Sequence, residues 1–239
     1  MSGGVAMDTI LSDKTAVIIL AGGSGRRFGS DKLMEKIGGV TVIERSLFAF
    51  QYCDAVSDIV LVARPDSIDI LREICKTDKI NKLAAVVPGG DTRALSCMAG
   101  LEALPDGVSL VAVHDGARPL VTDEVINNAL EMAWEYGAAV PAVTVKDTIK
   151  ICAADIVKST PDRTTLAAVQ TPQCFRRDII CGAMQKVIAD NAAITDDASA
   201  VEYAGGTVRL SAGSEENIKI TMRSDIALAE MILKGRKSL

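Results

Sequence analysis

Short apolar runs alternate along this chain with segments whose apolar residues recur every three or four positions. Residues 15–20 form the first run, and Val42, Ile43, Leu47 and Phe48 then mark a helix face leading to about residue 52. A second strand is expected at 58–63. A helix follows from Ser67 to about Lys76, with Ile68, Leu71, Ile74 and Cys75 at helical spacing. The rhythm continues with a strand at 83–87, a helix from about Arg93 to Leu104, a strand at 109–113 and a helix opening at Thr122 or Asp123. Continuous apolar strands between amphipathic helices predict an α/β fold, a largely parallel sheet covered by helices on both faces.

The rhythm changes after a strand at 138–142. From 143 to 169 the β-branched runs are short: Val143-Thr144-Val145, Thr148-Ile149 and Ile156-Val157, with polar breaks between them. The segment reads as a β-arm leaving the sheet. A lone hairpin is marginally stable, so the arm needs a second surface. The chain's own body or a symmetry-related subunit would serve; dimerisation through the arm is the expectation. Helices are then expected at about 177–190 and 196–204, and a short strand at 217–221. A last helix opens near Ser224, a plausible N-cap, and runs to about Leu233. Residues 1–12, with Gly3-Gly4, read as a flexible tail, and 13–239 as one domain.

In parallel sheets ligands bind beyond the carboxyl ends of the strands. Three polar loops fall there: Gly22–Lys32, Gly89-Gly90-Asp91-Thr92-Arg93 and His114-Asp115-Gly116-Ala117-Arg118-Pro119. The first, Leu20-Ala21-Gly22-Gly23-Ser24-Gly25-Arg26-Arg27-Phe28-Gly29 with Lys32, combines close backbone approach with positive charge and so suits an anion. It is not a Walker A loop, because Lys32 follows Asp31 and precedes Leu33, with no hydroxyl for a metal. Nor is it a dinucleotide loop: the third glycine of that pattern falls on Phe28, and the strand ending in Ala63-Arg64 offers no carboxylate for a ribose. The bland alternative is a turn with solvated arginines.

Composition narrows the partners. The chain has 239 residues, 31 acidic and 26 basic groups, and a net charge of -5. With four Phe, three Tyr and one Trp and no basic stripe, it does not read as a nucleic-acid binder. No apolar stretch reaches the roughly 18 residues of a membrane span, and no secretory leader is apparent. Six cysteines without a C-x-x-C pair, beside the single His114, argue against zinc and for free thiols in a reducing cytoplasm.

A nucleoside triphosphate with Mg²⁺ would satisfy the first loop. Asp115, just beyond the fourth strand, is the candidate metal carboxylate, with a plain turn carboxylate as its alternative. A phosphate nucleophile is already anionic and needs no general base, so His114 is as readily a packed histidine. Lys32 and Lys219 are the candidate stabilisers of the attacked phosphate, each otherwise a solvated charge. Arg118 is expected to fix its loop by pairing with a carboxylate.

Together these blocks resemble the 2-C-methyl-D-erythritol 4-phosphate cytidylyltransferase family. Asp147-Thr148-Ile149-Lys150, Asp162-Arg163, Gln170-Thr171-Pro172-Gln173, Thr195-Asp196-Asp197-Ala198-Ser199-Ala200 and Asn217-Ile218-Lys219-Ile220-Thr221 extend the likeness, in order, over residues 15 to 233. The resemblance implies a Rossmann-like nucleotidyltransferase sheet with a protruding β-arm. It implies cytidylyl transfer from CTP to the sugar-alcohol phosphate, with release of pyrophosphate, in the non-mevalonate isoprenoid precursor pathway. Ala21, Gly22, Gly23 and Gly25 with Arg27 and Lys32 would then hold the triphosphate, and Gly90, Asp91 and Ser96 the cytosine. Asp115 would bind Mg²⁺, while Lys32 and Lys219, with Arg27, act in catalysis. Thr148 and Arg163 would reach the acceptor in the neighbouring subunit of a homodimer, with Thr171 lining the same region.

Asp31-Lys32-Leu33 departs from the Pro-Lys-Gln common in that family, which predicts altered loop geometry. Rival readings are a ribitol-5-phosphate cytidylyltransferase, a sugar-1-phosphate nucleotidyltransferase using UTP or GTP, and a noncatalytic nucleotide-binding protein.

Overall fold

The computed structural model describes residues 14–22, 28, 31–76 and 79–236. The expected tail at 1–12 lies outside them, as do Gly23, Gly25 and Arg27 of the first loop. Strand β1 (Lys14–Ala21) occupies the middle of the main sheet, which has eight strands among the described residues. On one side of it lie β4 (Asp58–Ala63) and β5 (Leu83–Pro88), and on the other β6 (Val108–Asp115), all parallel. The hairpin strands β2 (Lys36–Ile37) and β3 (Val40–Thr41) form a separate pair.

Alternation along β1 explains the two layers. Val17, Ile19 and Ala21 face a core with helices α1 (Val42–Gln51), α2 (Ile68–Cys75), α4 (Asp123–Tyr136) and α7 (Arg223–Arg236). Ala16 and Ile18 face the opposite core, made with α3 (Arg93–Glu102), α5 (Arg177–Ala189) and α6 (Asp197–Tyr203). Local chemistry sets where these helices start: Thr41 and Glu44 form a capping box at α1, and Thr92 and Thr122 cap α3 and α4.

Beyond β6 the sheet becomes mixed. Strand β11 (Gln173–Arg176) runs antiparallel between β6 and β7 (Ala138–Thr144). Strand β10 (Ala167–Val169) also runs against β7, and β12 (Arg209–Ala212) runs parallel to it on its other side. Neither β11 nor β12 was legible as a strand, being four residues each and lacking a long apolar run. The arm is correspondingly shorter than 143–169. Val143 and Thr144 complete β7 by pairing with Ala168 and Ala167, so only the stretch between these residues leaves the sheet. It carries the hairpin β8 (Ile151–Ala153) and β9 (Ile156–Ser159), exposed throughout.

Two further expectations need correction. Residues 217–221 form no strand. Their backbone bonds to loops instead, Asn217 N–H donating to nearby Ser214 O and Ile220 N–H to Ala117 O in the distant loop after β6. The last helix begins at Arg223, so Ser224 lies inside it. The N–H groups of Thr221 and Met222 are satisfied by Asp225, one turn in. Among the described residues no helix is long and apolar enough to cross a membrane.

Candidate active site

The carboxyl ends of β1, β4, β5 and β6 open into one cleft. Gly22, Lys32, Gly90, Asp91 and Ser96 line it, together with Asp115 and Lys219. Residues separated by nearly two hundred positions therefore meet where the sheet's loops converge. Ala21 is placed differently, buried in the core at the end of β1. The backbone of Gly90 passes so close to α3 that a Cβ there would lie 2.4 Å from the Leu95 Cβ. Ser96 Oγ donates to Gly90 O at 3.1 Å, tying that loop to the helix.

Asp31 is turned away from its neighbouring lysine. Its Oδ1 accepts from Leu33 N–H at 3.1 Å, and its Oδ2 pairs with Arg64 at 3.3 Å. Arg64 at the tip of β4 thus neutralises the residue that departs from the family pattern. Lys32 Nζ in turn donates to Ile220 O at 2.9 Å, joining the first loop to the segment that carries Lys219.

Asp115 is the electrostatic centre. Arg93 Nη1 donates to its Oδ1 at 3.1 Å and Lys219 Nζ to its Oδ2 at 2.6 Å. Burial by itself would raise this carboxyl, but Arg93 and Lys219 outweigh it and hold it far below the usual carboxylate range. Arg93 grips Asp197 with Nε and Nη2, at 3.2 and 2.5 Å, in a forked contact. Sequence reasoning gave no role to either Arg93 or Asp197. Their positions in the Gly-Gly-Asp-Thr-Arg and Thr-Asp-Asp-Ala-Ser blocks were the available signal.

Behind Asp115 lies a chain of hydrogen bonds. Asp115 N–H donates to Thr171 Oγ1 at 3.0 Å, and Thr171 meets His114 Nδ1 at 3.1 Å. His114 Nε2 meets Arg118 O at 3.1 Å. Since Thr171 already accepts from the backbone, its proton points to Nδ1, which assigns the proton of a neutral imidazole to Nε2. Thr171 is thus buried against the back of Asp115 rather than aimed into the cleft. Arg118 donates to the backbone carbonyl of Asn217 at 2.7 Å, not to a carboxylate as expected. Asn217, fully buried, donates to Thr171 O at 2.9 Å, so the same cluster holds the Lys219 segment.

Burial pushes the His114 imidazole down to about 4. It is neutral at pH 7 and serves as a strut. A group whose folded pKa lies below its unfolded value binds protons preferentially when unfolded, so stability falls as pH drops from about 6.5 toward 4. Urea unfolding should therefore show about 2 kcal/mol less stability at pH 5 than at pH 7 from this group. His114→Gln should flatten that slope; an unchanged slope would deny the assignment.

Thr148 and Arg163 do not reach the cleft of their own chain. Both lie exposed on the arm, where Arg163 Nη1 donates to Lys146 O at 2.8 Å. No group of three or more His, Cys, Asp or Glu that could hold a metal occurs among the described residues. Asp115 alone fits a Mg²⁺ that brings phosphate oxygens with it, the usual form of such sites.

Residues 15–235 match the model of the 2-C-methyl-D-erythritol 4-phosphate cytidylyltransferase family. This chain belongs to that family. It is 42% identical over 229 residues to the 2-C-methyl-D-erythritol 4-phosphate cytidylyltransferase of Pelotomaculum thermopropionicum, covering 94% of this chain and 96% of that protein. The protein of the same name from Alkaliphilus oremlandii is 39% identical, over 94% of this chain and 97% of its own. Among solved structures, 4-diphosphocytidyl-2C-methyl-D-erythritol synthase of Anaerococcus prevotii superposes with a TM-score of 0.81 at 33% identity, over 93% and 99% of the two chains. The Thermus thermophilus cytidylyltransferase gives 0.75 at 28% identity, over 91% and 98%.

Proposed function

We infer that this chain transfers the cytidylyl group of CTP to 2-C-methyl-D-erythritol 4-phosphate, forming 4-diphosphocytidyl-2-C-methyl-D-erythritol and pyrophosphate in the non-mevalonate route to isoprenoid precursors. The observation that carries this reading is the meeting of Lys32, Asp115 and Lys219 in one cleft of a chain that matches the family from 15 to 235.

An oxygen of the acceptor phosphate attacks the α-phosphorus of CTP, and the bond to the β-phosphate breaks as pyrophosphate leaves. The attacking oxygen is already anionic, which agrees with a neutral, internally bonded His114. Lys32 and Lys219 offset charge gathering on the attacked phosphate. Gly22 and the rest of the first loop, with Arg27, cradle the triphosphate; Gly90, Asp91 and Ser96 face the base. Asp115 would hold Mg²⁺, which supplies charge neutralisation and orientation of the phosphate oxygens.

A homodimer completes the site in this reading. The arm exposes Ile151 at 54% and Ile156 at 59%, apolar surface that a second copy would cover. Thr148 and Arg163, on the two limbs of that arm, would then meet the acceptor phosphate in the partner's cleft. We also read the protein as one cytoplasmic domain; its six cysteines are all unpaired.

The test is incubation with CTP, Mg²⁺ and 2-C-methyl-D-erythritol 4-phosphate, followed by pyrophosphate release. No turnover at enzyme concentrations approaching substrate would reject the reading. A higher kcat/KM with ribitol 5-phosphate would transfer it to that acceptor. Tight CTP binding without pyrophosphate release would make it a nucleotide-binding protein.

A further inference from the structure

The reaction leaves one wholly buried carboxylate without a task. Asp197 is 0% exposed, and burial pushes its carboxyl up against the pull of Arg93. A buried charge is costly unless partners compensate it closely. Here the compensation is elaborate. Arg93 donates to both Asp197 oxygens, and its third donor reaches Asp115 Oδ1 at 3.1 Å. The far oxygen of Asp115 takes Lys219. Asp197, Arg93, Asp115 and Lys219 thus stand in a row of alternating charge whose sum is zero.

The row is anchored at its buried end. Asp196 caps α6 through Ser199 N–H at 2.9 Å. Gln173 on β11 donates to Asp196 Oδ2 at 2.7 Å and accepts from Ala198 N–H at 2.8 Å. The start of α6 is therefore held by the sheet, and Asp197 has little freedom to follow Arg93 if that side chain moves.

We propose that Asp197 is a positioning residue for metal-bound CTP, acting through Arg93. It divides the guanidinium between two carboxylates, so Asp115 retains negative charge that a divalent cation can use. The proposal rests on the cytidylyl-transfer reading. Without the Asp197 charge the row carries one net positive charge, and Arg93 turns undivided to Asp115. A divalent cation is then disfavoured and its oxygen contested, whereas metal-free CTP, with about two more negative charges than its Mg²⁺ complex, is attracted more strongly. The two ligand forms should respond unequally, metal-free CTP gaining relative to the Mg²⁺ complex. A packing defect would weaken both together.

The experiment is calorimetric titration of the full chain with CTP, once in excess Mg²⁺ and once in EDTA. The readout is the ratio of the two Kd values, measured beside Tm. For Asp197→Asn, isosteric and uncharged, the advantage that Mg²⁺ gives should shrink about tenfold or more, as expected for one unscreened charge at this range. Asp197→Ser should do the same and serves if the first variant does not fold. Asp197→Glu restores charge in a tight site, so it should lower Tm yet recover most of the wild-type ratio. Leu130→Ala, a core truncation on the other face of the sheet, should lower Tm with the ratio unchanged. A wild-type ratio in Asp197→Asn, or a parallel rise of both Kd values, would overturn the proposal while leaving the reaction intact. Absence of CTP binding by the wild-type chain in both conditions would overturn the reaction and the proposal together.

Discussion

Lys219→Ala should lower kcat about a hundredfold or more, the roughly 3 kcal/mol that loss of one preorganised charge commonly costs. The structure gives this lysine an unusual setting. Its ammonium is half-exposed, yet its Nζ lies 2.6 Å from a buried carboxylate, and its backbone neighbours are fixed on both sides. Asn217 is fully buried and tied to Thr171, and Ile220 donates to Ala117 O while accepting from Lys32. Truncation at the Cβ therefore removes a positioned cation without unseating the segment. The effect should appear in kcat under saturating CTP, since a charge that stabilises the developing phosphorane contributes less to ground-state binding. Lys32→Ala should follow the same direction. Steady-state kinetics with a Tm control decides the matter, and a near-wild-type kcat for Lys219→Ala would remove its assigned role.

The second large effect concerns the arm. Arg163→Ala and Asp115→Ala should each be nearly inactive as homodimers, because each lacks one part of every site. In a mixed dimer, one site would combine an intact Asp115 with an intact Arg163 from the partner, and the other would lack both. Random exchange of equal amounts gives half heterodimers, so about a quarter of wild-type activity should return. The positions behind this expectation are plain: Arg163 bonds within its own arm, and Asp115 lies at the base of the cleft. Mixing after partial unfolding, with heterodimers verified by mass, is the measurement. No recovery among proven heterodimers would exclude an arm exchanged between sites.

The sequence was sufficient for the alternating strands and helices because each central strand is a continuous apolar run, and each helix repeats its apolar stripe near 3.6 residues. The loops that follow β1, β5 and β6 were placed at one sheet edge by that order alone. Phosphate-transfer chemistry proposed roles for Lys32, Asp115 and Lys219, family resemblance implied the same roles, and all three line the cleft. Strands β11 and β12 escaped notice because four-residue strands carry too little pattern to separate from loop. Their pairing with β7 comes from long-range backbone bonds.

The tertiary structure alone decided which charges neutralise which. Asp31 stands beside Lys32 in sequence, yet its partner is Arg64 from the end of another strand. Thr171, expected near the acceptor, backs Asp115 and hydrogen-bonds to His114, which burial keeps neutral. Arg93 and Asp197 are separated by 104 positions and meet in a fork beneath the cleft. Apolar burial depends on periodicity, which one strand or helix displays by itself. An ion pair depends on the coincidence of two distant side chains at about 3 Å, and no local pattern encodes that meeting.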